Sequence, residues 1–276
     1  MNELLWNLSD HLYLWLFVVA MVAGVIDSIA GGGGLLTVPA LLLGGMSPVM
    51  ALGTNRFQAV IGETTAFLTF WRYRQIQMTG LMLGVTFTAG GAVLGSYTVR
   101  WIDKSLLEML IPVLMVAISI YSVFSGRLKQ SVVSEPRISR YSFMLLCGVV
   151  IGFYNGFFGP GTGSIWIIAF ITLLGLTIKQ ASVMTKPLNL TGNAVSLCLF
   201  ISFGYVDYMA GIVMGFGQVF GAIIGSKIVI SNGDRIVRPV FISVTLLMTC
   251  KLVYEQVSAD SLSGLWTAFI HFSGLS

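Results

Sequence analysis

Charge is what this chain has least of. Among 276 residues only 15 are Lys or Arg and 11 are Asp or Glu, 9% in all, where a soluble domain carries about 25%. So few charges cannot cover a soluble globule of this length, which excludes a soluble enzyme and the usual nucleic-acid-binding module. Dense basic runs are missing too. The net charge is +4, but the Lys and Arg residues sit at the ends of apolar stretches, as loop charges that orient a membrane protein do. Cysteine is sparse: Cys147, Cys198 and Cys250 lie singly in apolar stretches with no CxxC pair, which excludes a disulfide framework. The two histidines, His11 and His271, stand near the chain ends, and HExxH and GxSxG patterns are absent. No cofactor, metal site, nucleic-acid partner or enzymatic activity is therefore expected. The N-terminal stretch contains Glu3 and Asp10 but no Lys or Arg, so it lacks the basic start of a cleavable signal peptide.

What remains is apolar: 56% hydrophobic residues and a mean hydropathy of +0.89. The expected fold class is an all-α polytopic membrane protein. A bilayer core about 30 Å thick needs about 20 apolar residues per helix. By that measure the full-length crossings fall near 12–30, 53–71, 79–100, 105–124, 141–158, 182–203, 208–230 and 236–254. Two shorter apolar pieces, 35–45 and 164–176, follow glycine-rich breaks and either cross or re-enter. No Lys or Arg precedes Arg56. If the short pieces cross, ten basic residues from Arg72 to Arg238 fall on one side, and Arg100, Lys104 and Lys251 on the other. The positive-inside tendency then puts both termini outside.

The two ends of the chain resemble one another. Gly24-Val-Ile-Asp27-Ser-Ile-Ala-Gly31 matches Gly152-Phe-Tyr-Asn155-Gly-Phe-Phe-Gly159 at an offset of 128 residues. After a two-residue shift Arg56 pairs with Lys186, Gly62 with Gly192, and Gly91-Ala-Val-Leu-Gly95-Ser96 with Gly221-Ala-Ile-Ile-Gly225-Ser226. The expected organisation is a first membrane repeat over 1–124, a cytoplasmic linker over 125–140, a second repeat over 141–255 and a tail over 256–276. With about five hydrophobic segments in each, an odd number, the second repeat is inverted. Inverted repeats with interrupted helices characterise secondary transporters.

Several residues in these stretches carry chemistry. The breaks around Gly31, Gly32 and Gly33 and around Gly159, Gly161 and Gly163 lack the Lys of a P-loop. They fit either tight turns or unwound backbone whose N–H groups face an anion. A cation inside a membrane segment costs several kcal/mol unless it snorkels or finds a partner. Arg56 and Lys186 are such cations, and their company is polar: Thr54, Asn55 and Gln58 beside one, Thr185 and Asn189 beside the other, with Asn193 a turn beyond. Together they form a candidate site for a small anion with several oxygens. Asp27 and Glu63 are embedded acids. Each is expected either to pair with Arg56 or to bind a coupling proton or sodium ion.

These motifs resemble the TauE/SafE-type sulfite exporter family, in its YfcA-like bacterial inner-membrane branch. The likeness rests on Gly24–Pro39, Ala51–Gln58, Gly152–Ser164 and Thr185-Lys186, and it covers about residues 14–255. It implies a multi-pass transporter of the plasma membrane associated with sulfite, organosulfonates and related compounds. The second motif departs from the family pattern at Asn155, where an Asp is usual, and at Pro187, where relatives carry a leucine. Two other readings stay open: a membrane-embedded enzyme or assembly protein, and an anion channel.

Overall fold

A computed structural model describes residues 2–76, 80–102 and 135–232, with side chains from residue 11 onward. The stretches expected at 105–124 and 236–254, most of the 125–140 linker and the 256–276 tail lie outside the described residues. Every regular element among the described residues is an α-helix: α1 (Asn2–Ala30), α2 (Gly34–Leu43), α3 (Pro48–Arg72), α4 (Leu81–Trp101), α5 (Arg140–Phe157), α6 (Thr162–Leu174), α7 (Ile178–Ser202) and α8 (Tyr208–Asn232).

Among the described residues, three segments are long and apolar enough to cross a bilayer: His11–Ala30, Leu81–Trp101 and Tyr208–Ser231. The helices α3 and α7 are as long, 25 residues each, about 37 Å at 1.5 Å per residue. Their polar rows are buried against neighbouring helices, so they need no apolar surface all round. The short helices α2 and α6 have 10 and 13 residues, about 15 and 20 Å.

Both long polar helices begin one turn earlier than apolarity alone places them. Pro48 occupies the first turn of α3 after Ser47, where its missing N–H has no partner to lose. At α7, Thr177 and Gln180 form a reciprocal capping box. The earlier starts put Arg56 and Lys186 ninth in their helices, more than two turns inside. Pro187 does not end α7; the helix runs through it to Ser202.

Packing crosses between the two ends of the chain. On α8, Gly217 lies against Phe17 and Met21, Gly221 against Met21 and Val25, and Gly225 against Val25 and Ser28 of α1. Both sequences ascend together, so α1 and α8 run parallel. The same holds for α4 and α5: Gly91 meets Val149 and Phe153, and Gly95 meets Phe153 and Phe157. A side chain at these glycines would strike backbone of the facing helix, and their absence is what permits such close approach. Ser28 Oγ to Ala222 O (3.4 Å) and Ser96 Oγ to Gly156 O (3.2 Å) bridge the two pairs.

Charge is sorted by end. Arg137 N donates to Leu173 O, Gly80 lies beside Arg140, and Lys179 Nζ donates to Ile230 O, which gathers these basic residues at one end of the bundle. The other end brings the 203–207 loop onto the start of α3 through Asp207 N and Thr54 Oγ1 (2.9 Å). There Arg100 stacks 5.3 Å from the Phe203 ring.

Candidate functional site

The breaks between α1 and α2 and between α5 and α6 touch each other inside the bundle. Ser164 N donates to Gly31 O (3.1 Å), and Ser164 Oγ donates to Ala30 O (2.9 Å). Gly31 has φ +71°, and a Cβ there would collide with the Gly163 backbone. Only glycine combines that backbone angle with that contact. Gly159 (φ +94°) and Gly161 (φ +80°) turn the second break.

The touching breaks border a cavity of about 20 Å³, room for about one water molecule. Its polar side chains are Asp27, Asn55, Glu63, Thr162, Asn189 and Asn193, and its glycine walls are Gly31, Gly34, Gly159, Gly161 and Gly163. Glu63 and Asn193 are each sixteenth in their helices, so they meet near the middle of the bundle. Asn193 Nδ2 donates to both Glu63 carboxylate oxygens (3.0 and 3.1 Å), and Asn189 Nδ2 donates to Glu63 Oε1. Asn55 Oδ1 accepts from Thr37 Oγ1 (2.5 Å) and Gln58 Nε2 (2.8 Å).

The two cations are wholly buried, at 0% exposure each, so neither snorkels to a surface. Each reaches across to the last turn of a helix from the opposite end of the chain. Arg56 Nη2 donates to Gly156 O on α5 (2.6 Å), and Lys186 Nζ donates to Asp27 O on α1. The Asp27 carbonyl also accepts from Gly31 N (2.8 Å) and the Gly156 carbonyl from Ser96 Oγ (3.2 Å), and a cation at each complements the negative end of the helix. Here the resemblance between the cations stops. Lys186 Nζ also pairs with Asp27 Oδ2 at 3.1 Å, and Gly33 N holds Asp27 Oδ1 at 3.2 Å. Arg56 lies 4.4 Å over the Phe200 ring, while its Nε and Nη1 have no acceptor.

The expectation that an acid pairs with Arg56 is therefore corrected. Asp27 pairs with Lys186, and Glu63 is held by two asparagines, because the crossed packing brings α1 against α7 rather than against Arg56. Of the other candidates, Asn55 and Asn189 line the cavity. Thr54 and Thr185 do not: Thr54 Oγ1 accepts from the 203–207 loop, and Thr185 Oγ1 donates to Ala181 O (2.8 Å). Gln58 sits behind Asn55, and Gly32 and Gly33 lie outside the lining.

Sequence reasoning missed Thr162 and Gly34 in the lining and three buried residues outside it. Thr37 braces Asn55 and gives no sequence signal. Asn155 Nδ2 donates to Asn189 Oδ1 (3.2 Å), a role its match to Asp27 could have flagged. Gln218, a buried amide on apolar α8, fills the space beside Gly24 and Gly62.

Residues 16–252 match the family profile described as Sulfite exporter TauE/SafE. The chain is 41% identical over 241 residues to a probable membrane transporter protein of Haemophilus influenzae, covering 87% of this chain and 94% of the relative. It is 40% identical over 250 residues to the probable membrane transporter protein YfcA of Escherichia coli, covering 91% and 93%. A probable membrane transporter protein of a Sinorhizobium species shares 36% over 249 residues, covering 90% and 95%. No solved structure matches the chain significantly. With the family profile spanning most of its length, the chain belongs to the sulfite exporter TauE/SafE family.

Proposed function

We propose that this protein is a secondary transporter of small oxyanions, sulfite or an organosulfonate, in the bacterial inner membrane. The observation that carries the reading is Arg56: a guanidinium at 0% exposure whose Nε and Nη1 have no acceptor. A buried charge with unused donors is costly unless something pairs with it, and an oxyanion supplies the missing acceptors. The amides of Asn55 and Asn189 stand at the neighbouring cavity. Because that cavity holds about one water, the conformation described is closed around the site, and the anion enters when the breaks part.

The multi-pass, inverted-repeat reading has its own support. If each hydrophobic segment reverses direction, α4 runs opposite to α1. The parallel pairing of α4 with α5 then makes α5 opposite to α1, its counterpart in sequence. Two inverted halves meeting at broken helices are the arrangement in which transporters alternate access. The end of the bundle that gathers Arg137, Arg140 and Lys179 is the cytoplasmic one on this reading. Cysteines at Gln75 and Gly204 test the orientation: an impermeant thiol reagent on intact cells labels the Gly204 position and spares Gln75, and the reverse pattern overturns it.

Flux into proteoliposomes tests the function. Sulfite, methanesulfonate and taurine are supplied separately, and at least one moves saturably. Arg56→Ala abolishes that flux at normal membrane abundance. Arg56→Lys is milder but impaired, because an ammonium cannot present the planar donor set of a guanidinium. Full-rate flux by Arg56→Ala overturns the site.

A further inference from the structure

We propose that Asp27 is a proton-binding site that decides whether Lys186 is open to an anion in the cavity; this rests on the transport reading above. The geometry carries it. Asp27 lines the cavity and Lys186 does not. In the pair, the Lys186 side chain is 0% exposed and that of Asp27 17%, so the carboxylate stands between the ammonium and the space an anion would occupy. Lys186 is anchored independently of that carboxylate by the Asp27 backbone oxygen, so it stays in place when the side chain changes state.

With Asp27 ionised, its pair with Lys186 is neutral, and an entering anion meets the Asp27 carboxylate before it meets the ammonium. A proton from the water-facing side removes the Asp27 charge, and Lys186 becomes available as a cation. The ionisable groups facing Asp27 are Lys186 from α7 and Glu63 from α3. Neither α2 nor α6, which close the cavity, carries one. Lys227 on α8 is exposed, and the Tyr154 hydroxyl on α5 is committed to Pro160 O (2.6 Å). Among the described residues the arrangement occurs once. At the matching position Asn155 cannot take up a proton in this way, and Arg56 has no carboxylate in front of it.

Proton and anion therefore favour each other's binding, and by linkage each raises the other's affinity by the same factor. One proton and one anion move together, and both leave when the cavity opens to the opposite side.

Methanesulfonate, which does not titrate near neutrality, is the probe. In proteoliposomes holding a luminal pH dye, wild-type uptake acidifies the lumen. Its half-saturating concentration rises by up to about tenfold per pH unit on the alkaline side, the limit for one linked proton. Asp27→Asn moves methanesulfonate without protons and with a flat pH profile, whereas Asp27→Glu keeps both responses. Proton movement, or the wild-type pH slope, persisting in Asp27→Asn overturns the proposal. If Asp27→Asn does not fold, Asp27→Ser, which keeps Lys186 in place, replaces it with the same criteria. Absence of wild-type methanesulfonate flux overturns transport of simple sulfonates and leaves the proton site to infrared spectroscopy in detergent. There a protonated-carboxyl band that titrates in wild type and vanishes in Asp27→Asn supports the site, and the lack of any such band removes it.

Discussion

Arg56 and Lys186 stand ninth in 25-residue helices and grip the last turn of a first helix from the opposite half, at Gly156 O and Asp27 O. Around that common frame the side chains diverge. The lysine meets the carboxylate of Asp27, while the arginine meets an aromatic face and two missing acceptors. At the next position in register, Glu63 stands where the other half has Asn193, and the two bind each other. Backbone capping thus explains why a cation is present in both halves, and the side-chain differences explain why only one of them is free. Two matching backbone contacts carry unlike side-chain surroundings.

Removing each cation in turn gives the largest contrast. Lys186→Met strands Asp27 and costs about 3–5 kcal/mol, the usual price of breaking a buried pair. Arg56→Met strands no acid and removes an incompletely paired buried charge, so its effect stays within about 1 kcal/mol. Thermal unfolding in detergent measures both, and adding Asp27→Asn to Lys186→Met recovers most of the loss.

The frame itself is tested at the crossed helix pairs. Gly91→Leu and Gly221→Leu each force a side chain against facing backbone and cost about 2 kcal/mol, within the range for overpacking. Unequal losses would show that the two pairs do not bear the same packing load.

Making the halves alike in charge is the next test. Asn155→Asp puts a carboxylate beside the carbonyl that Arg56 grips, in the position Asp27 holds for Lys186. The expected result is at least a tenfold fall in anion flux, about 1.4 kcal/mol, with the protein still folded. Undiminished flux would separate Arg56 from the anion.

The smallest difference lies at the helix starts. Thr177 caps α7 through a capping box, while Ser47, its counterpart, makes no side-chain cap on α3. Thr177→Ala costs about 1 kcal/mol and Ser47→Ala next to nothing by the same unfolding measurement.

How much of this was legible in the sequence depends on the range of the interaction. Gly31 and Gly159 were visible as breaks because glycine runs punctuate apolar stretches. Arg56 and Lys186 stood out because charges are rare. Span boundaries read from apolarity missed the first turns of α3 and α7, which begin with Pro48 and the Thr177 capping box rather than with apolar runs, so both cations were placed too shallow. The partner of Asp27 was out of reach. Lys186 is 159 residues away, and only the crossed packing brings them together. Thr54 and Thr185 illustrate the converse: closeness in sequence to a cation put them among the candidates, but each points away from the cavity.

The pairing of α1 with α8 also sets a schedule for synthesis. Ser28 and Ala222, which bond across that interface, are separated by 194 residues, whereas Ser96 and Gly156 between α4 and α5 are separated by only 60. At about 5–20 residues per second of translation, the α4–α5 contact becomes available within about 3–12 seconds of its first strand of chain emerging. The first helix waits about 10–40 seconds for its partner. During that interval the face of α1 that Gly217, Gly221 and Gly225 will meet has no partner, so α1 is locked in place long after α4.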